Sequence, residues 1–375
     1  MRTRFGFVST FPPTQCGLAT FAAALRGALL HSTRDEGWVV RLVESPAMGS
    51  GEEVVAQLVA GNPASRQQAV ARLNQCDVAI FQHEYGVYGG RDGGEILPLL
   101  DQVAVPSIAV LHTVLTDPTP HQREVLELVV AKADAVVTMT MAARDRLAAG
   151  YAADMTKVCV IAHGAPAWPA STEPAAGNGP LTILTWGLLG PGKGIEWGIE
   201  AMAMLRDLTP MPRYLIAGQT HPKVLLHQGE TYRDRLREQV RQTQLGPWVG
   251  FDSRYRDASA LAALVQAADV VLLPYDSTEQ VTSGVLIEAV AAGKPVVATR
   301  FPHARELLAG GAGLVVPHRD PPAIAAALRS MITRGDMMET MAAAAAAAAP
   351  RLRWPAVADQ YRRLAGRLIT TSVAA

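Results

Sequence analysis

Residues 270–300, VVLLPYDSTEQVTSGVLIEAVAAGKPVVATR, hold the pattern that decides the fold. VVLL at 270–273 is an unbroken apolar, β-branched run, too short for a helix and bounded by Pro274. A polar loop follows, and then Ser283 and Gly284 open an apolar helix over 284–292. Gly293 ends that helix, and 295–298 (PVVA) reads as another strand. Two strands that are apolar throughout, joined by a helix, belong to a parallel sheet covered on both faces.

The same alternation extends in both directions. In the second half, 181–185 (LTILT), 213–217 (RYLIA) and 313–316 (GLVV) are further strands, with helices expected over 195–205, 230–242, 258–267 and 322–334. In the first half, strands are expected at 4–8, 39–43, 78–82, 107–111 and 135–138. Helices are expected there at 19–31, at 54–59 with 67–73, and at 122–131. The Pro/Ala/Gly-rich stretch 166–180 separates the halves and reads as a linker. The chain is thus α/β with two Rossmann-like parallel-sheet domains, at 1–165 and 181–350. The alanine tract 342–349 has the highest helix propensity available, and Pro350 is expected to stop it. Residues 351–375 are expected to form a last amphipathic helix, with Trp354, Val357, Tyr361, Leu364 and Leu368 at three- and four-residue spacing.

Composition narrows the function. Lys+Arg and Asp+Glu number 34 each, so no basic excess points to nucleic acid. With 49% hydrophobic and 18% charged residues the chain can bury large cores. The cysteines Cys16, Cys76 and Cys159 form no CxxC pair, and the nine histidines are dispersed, so neither a disulfide framework nor a metal site is expected. The N-terminal apolar stretch is too short for a signal peptide, and no run approaches the ~20 residues that span a bilayer. The expected location is cytoplasmic, with peripheral contact at the inner face of the membrane left open.

Ligands of parallel α/β sheets bind beyond the carboxyl ends of the strands. The segments there are 10–20 (TFPPTQCGLAT), 82–90 (QHEYGVYGG), His112, 186–194 (WGLLGPGKG) and 276–293. Gly17 stands where a helix N-terminus could meet a phosphate. His83 and Glu84 follow one strand, and His112 follows the next. Lys193, among the glycines Gly187, Gly190, Gly192 and Gly194, suits a diphosphate. GxGxxG does not occur and Gly194 breaks the P-loop pattern, which disfavours a dehydrogenase and an NTPase. Ser283 and Gly284 make a second anion-binding N-terminus. Glu288, one turn inside that helix among apolar neighbours, needs a partner, which a ribose diol supplies.

WGLLGPGKGIEWGIEA (186–201), LIAGQTHP (215–222) and SGVLIEAVAAGKPVVAT (283–299) together resemble the retaining glycosyltransferases of family 4, over nearly the whole chain. The resemblance implies the GT-B fold: two Rossmann-like domains facing across a cleft, with the C-terminal helix crossing back to the first. It implies retaining transfer of a hexose from a nucleotide-diphosphate sugar, GDP-mannose or UDP-glucose, to a glycan, glycolipid or small-molecule hydroxyl. No tightly bound cofactor and no metal are expected.

By the same resemblance Gly17 approaches the donor phosphates, His112 lies near the transferred sugar, and Lys193 binds the diphosphate. Glu288 holds the ribose hydroxyls, and Thr282, Ser283 and Gly284 offer backbone amides. The sequence departs from the pattern twice. Gln280, beside Glu279, stands where the family has a glutamate, and Leu188 stands where it often has an arginine; Arg300 or Arg254 could replace that cation. Trp38, Tyr85, Tyr88 and Arg91 are candidates for an acceptor-facing surface. A phosphorylase or epimerase shares the fold, and the two departures leave open a degenerate protein that binds nucleotide sugar or a partner without turnover.

Overall fold

The computed structural model describes residues 2–31, 33–46, 51–168, 179–254 and 256–374. The chain divides into two units, Met1–Gly164 with Trp354–Ala375, and Ala165–Arg353. Most of the expected linker, residues 169–178, lies outside the described residues.

The first unit is a parallel sheet of β1 (Arg4–Ser9), β2 (Glu36–Val43), β3 (Val54–Val59), β4 (Val78–His83), β5 (Ser107–Leu111), β6 (Ala135–Thr138) and β7 (Val158–Val160). Its strand order is β3-β2-β1-β4-β5-β6-β7. The second unit holds β8 (Thr182–Trp186), β9 (Arg213–Ala217), β10 (Val249–Asp252), β11 (Val270–Leu273), β12 (Val296–Thr299) and β13 (Gly313–Val316), in the order β10-β9-β8-β11-β12-β13. β4, β5, β6, β11 and β12 are buried along their whole length, as the unbroken apolar runs require. Each is thus a Rossmann-like sheet, and the strand order reverses between β1 and β4 and between β8 and β11, where such folds bind ligands.

Four local readings need correction. Residues 54–59 are strand β3, paired in parallel with β2 at the sheet edge, because a stiff run of valines fits a pleated, half-buried edge better than one short helical turn. The helix after it starts earlier, at Pro63, where the Asn62 side chain accepts from Ser65 N at 3.1 Å. The short strands β7 and β10 were not expected at all. Pro350 lies inside the helix Gly335–Leu352 rather than stopping it. Pro350 removes one intrahelical bond near the end of that helix, and the buried stripe of Met341, Ala345, Ala349 and Leu352 holds the helix together past it.

The helix Trp354–Ala374 belongs to the first unit. Its Trp354, Val357, Ala358, Tyr361, Leu364 and Ala365 join Phe21, Leu25 and Leu29 in one core over β1, β4 and β5. Arg362 ties the two helices, donating to the Leu29 carbonyl at 2.8 Å and standing 3.7 Å from Asp35. Tyr361 is fully buried, yet its hydroxyl has no hydrogen-bond partner. Tyr361→Phe should therefore leave stability unchanged or raise it by at most about 1–3 kcal/mol. Tyr361→Ala should cost about 3–5 kcal/mol. Denaturant unfolding of the two variants checks the pair.

Candidate functional site

In each unit the candidate residues gather where the strand order reverses. In the first, β1 runs through residues 10–16 into the helix Gly17–Leu30. Cys16 caps that helix: its Sγ accepts from Ala19 N at 3.4 Å and lies 3.1 Å from Thr10 Oγ1. A Cβ added at Gly17 would meet nothing within 4 Å, so this glycine is not required by packing; it leaves the first amides of the helix uncovered.

One turn further on, Phe21 packs edge-on against His112, His163 and Trp354, at centroid distances of 4.9, 5.0 and 5.2 Å. His112 is half-buried at the end of β5, and its Nε2 is 2.7 Å from Gln82 Oε1. An amide oxygen only accepts, so Nε2 carries the hydrogen and Nδ1 keeps its lone pair. Burial, with His163 and His83 nearby, lowers the His112 pKa to about 3, so the ring is neutral. His83 is fully buried with both ring nitrogens unpartnered, and burial lowers its pKa to about 4. Glu84 accepts from Thr113 Oγ1 at 2.5 Å and from Tyr85 N at 2.9 Å.

The expected acceptor-facing surface is not one surface. Tyr88 is buried, and Trp38 lies near the amino end of β2 beneath the Arg4 guanidinium, 4.5 Å away. Only Arg91 of the four is exposed.

In the second unit the loops after β8 and β9 turn on left-handed glycines. Gly187 has φ +119° and Gly218 φ +138°; a Cβ on Gly218 would stand 1.9 Å from the Gly187 carbonyl oxygen. A Cβ on Gly194, at φ +61°, would stand equally close to the Pro274 carbonyl oxygen. Glycine alone permits both approaches. The first sets the 187–194 loop against the end of β9, and the second sets it against the segment after β11, where Asp276 N donates to the Gly192 carbonyl at 2.9 Å.

Lys193 Nζ stands 4.5 Å over the Tyr275 ring, which stacks on Phe301. The ring orients the ammonium without neutralising it. Asp276 is already engaged, accepting from Trp197 Nε1 at 2.8 Å and lying 3.3 Å from Arg319.

Ser283 caps the helix Gly284–Ala291, its Oγ accepting from Leu286 N at 3.3 Å. Ser283's own amide donates to His303 Nδ1 at 2.8 Å, so it is not one of the amides open to a ligand; Gly284 and Val285, the first two helical residues, precede the first intrahelical bonds. Gln280 turns its Nε2 onto the Thr282 carbonyl at 3.0 Å. The Thr282 hydroxyl has no partner. Glu288 is half-buried and takes a hydrogen bond from the Trp186 side chain, which links the helix to the end of β8; burial raises its pKa to about 7.

Of the candidates for a second cation, Arg254 is committed to Asp252 at 2.8 Å, a pairing that with Arg256 holds Asp252 well below the usual carboxylate range. Arg300 is exposed after β12, and Leu188 is half-buried.

The structure therefore brings Gly187, Gln280, Thr282, Ser283, Gly284 and Glu288 together in the second unit, with Lys193 beside them through Tyr275. It holds Gly17 and His112 together, through Phe21, in the first. Sequence reasoning missed Gln82, Trp186 and His303 as partners of these residues. Strand alternation was a usable signal for Gln82, which shares the face of Val78 and Ile80. Among the described residues no group of three His, Cys, Asp or Glu could hold a metal, and no helix is long and apolar enough to cross a membrane.

Residues 180–334 match the family described as glycosyl transferases group 1. The chain is 31% identical over 260 residues to a D-inositol 3-phosphate glycosyltransferase of Corynebacterium urealyticum, covering 65% of this chain and 59% of that protein. It is 38% identical over 109 residues to a phosphatidyl-myo-inositol mannosyltransferase of Mycobacterium leprae, covering 29% of each. The chain thus spans less than two thirds of either curated relative. Among solved structures, sucrose-phosphate synthase from Thermosynechococcus elongatus aligns with a TM-score of 0.77 at 18% identity, over 99% of this chain and 100% of that one. Anabaena HepE in complex with UDP aligns with a TM-score of 0.77 at 18% identity, over 97% and 100%. At those identities the likeness speaks for the fold, the pair of Rossmann-like units called GT-B.

The raised Glu288 pKa has a consequence for stability. A carboxyl whose folded pKa is about 7 against an ordinary 4.5 binds its proton more tightly in the native state. Its contribution is complete below pH 4.5 and is lost as the pH rises to about 7. Glu288→Gln should remove that fall between pH 4.5 and 7, as urea denaturation of the two proteins across the range would measure.

Proposed function

We propose that this chain, whose residues 180–334 match the glycosyl transferases group 1 family, transfers a hexose from a nucleotide-diphosphate sugar to an acceptor hydroxyl with retention of anomeric configuration. The observation that carries this reading is the grouping at the β8/β11 reversal. There an oriented, un-neutralised ammonium, a helix N-terminus and a carboxylate inside the same helix lie around one loop pair.

On this reading Lys193 and the amides of Gly284 and Val285 take up the negative charge that develops on the departing diphosphate. Glu288, in its ionised form, accepts from the ribose hydroxyls, and Gly187 leaves the backbone near the phosphates uncovered. The bond from the anomeric carbon to the diphosphate oxygen breaks, and the acceptor oxygen bonds to that carbon on the same face. The acceptor's proton passes to the leaving phosphate oxygen. In the first unit the Gly17 amides approach the donor phosphates. His112, neutral and with Nδ1 unprotonated, is an acceptor for a hydroxyl of the transferred sugar. No step calls for a metal or a resident cofactor.

GDP-mannose and UDP-glucose are the donors to try first: one curated relative is named a mannosyltransferase, and HepE was solved with UDP-glucose as well as UDP. A glycan, glycolipid or small-molecule hydroxyl is the acceptor class, and the relatives' names put inositol phosphates at the head of it. The setting proposed is the cytoplasm, at the inner face of the membrane where the acceptor is a lipid. Gln280, an amide turned onto the Thr282 carbonyl, favours a second reading in which the protein binds nucleotide sugar without turnover.

Nucleotide release from UDP-, GDP- and ADP-sugars, with and without acceptors, separates the two. A transferase releases nucleotide from one donor, and Lys193→Ala lowers that rate about 10²–10³-fold. Nucleotide binding without release from any donor supports the second reading, and release unaffected by Lys193→Ala overturns the assignment of the lysine.

A further inference from the structure

His303 was singled out by neither the sequence motifs nor the donor reading, yet it makes two bonds to the loop that leads into the helix Gly284–Ala291. It is 2% exposed, in the helix Pro302–Leu308 after β12. Its Nδ1 accepts from Ser283 N at 2.8 Å, and its backbone N donates to the Gln280 carbonyl at 3.5 Å. One residue thus holds both ends of the segment 280–283. The Gln280 side chain closes the segment from within, on the Thr282 carbonyl, and Val281, 2% exposed, anchors its middle.

Ser283 is itself 3% exposed. A buried backbone N–H is seldom left without a partner, and here the imidazole supplies it. An Nδ1 that accepts fixes the ring as the Nε2–H tautomer. The amide that a helix N-terminus would ordinarily turn toward an anion is instead used to set the direction of the two that follow.

We propose that His303 is a positioning residue for nucleotide binding. By holding the Ser283 amide it aims the amides of Gly284 and Val285, with the Thr282 hydroxyl, at the donor diphosphate. This rests on the donor reading given above. His303 touches no substrate; it acts through Ser283.

Two isosteres of different reach test the assignment. In His303→Asn the amide oxygen stands as far from the backbone as Nδ1 and can accept from Ser283 N; in His303→Gln it stands one bond further out and cannot. Calorimetric titration with UDP and with GDP, alongside thermal melts, is the measurement. His303→Gln should weaken the nucleotide that the wild type binds by about tenfold. His303→Asn should stay close to the wild type, with both variants melting cooperatively. Equal affinity in all three proteins overturns the proposal, as does equal loss in Asn and Gln. A Gln variant that melts lower but binds as the wild type makes His303 a brace for folding alone, which also overturns it. A wild type that binds neither nucleotide sinks the donor reading, and the role of His303 with it. That result is distinct from the others, because it appears before any substitution is made.

Discussion

Parallel pairing is the constraint on which both units depend. A parallel strand cannot be joined to its neighbour by a tight turn, so each pair needs a crossover, and crossovers of one hand carry helices to both faces of the sheet. Both faces are then buried, and the only backbone left to meet a ligand is at the strand ends. Because the order turns back between β1 and β4 and again between β8 and β11, the loops at those ends part instead of packing on one another. Gly17, His112, Gly187 and the 280–284 loop all lie at these two places. Their grouping follows from topology before any side chain is considered.

The electrostatics at the two places differ in kind. In the first unit three histidines, His83, His112 and His163, are all held neutral by burial. They offer hydrogen bonds and no charge. In the second, the carboxylate of Glu288 is disfavoured by burial, while Asp276 and Asp252 are tied to other groups. Lys193 itself stands over the Tyr275 ring, and Ser283 caps the helix that holds Glu288, so the charge there is set by packing and helix ends as much as by ion pairs.

Much of this was legible in the sequence, and unevenly so. Unbroken apolar runs located β4, β5, β6, β11 and β12, because burial on both faces leaves no polar position to obscure the strand. The edge strands β3, β7 and β10 lack that signature, and so residues 54–59 read as helix and β7 and β10 went unread; the edge strand β13 was read because GLVV is itself a short apolar run. Pro350 misled because a local rule took no account of the buried stripe on the helix containing it. At the site, positions with a spacing of their own, Lys193 within its glycines and Glu288 within its helix, could be named. The residues that hold them could not. Gln82 is 30 residues from His112 and His303 is 20 from Ser283; Trp186 is further still from Glu288. Such pairings are made by sheet order, which no local pattern contains.

The C-terminal helix has a bearing on how the molecule is made. The chain leaves the first unit at Gly164 and re-enters it at Trp354. Ala165 N donates to the Leu352 carbonyl at 2.7 Å, so the two ends of the second unit lie side by side. On the ribosome, the first unit must therefore wait with Phe21, Leu25 and Leu29 uncovered while the whole of the second is synthesised, because the helix that covers them follows the second unit in the chain. In topological terms the second unit is an insertion whose ends meet, placed after the last strand of the first unit's sheet and before the helix that covers it, so that the sheet itself is left uninterrupted.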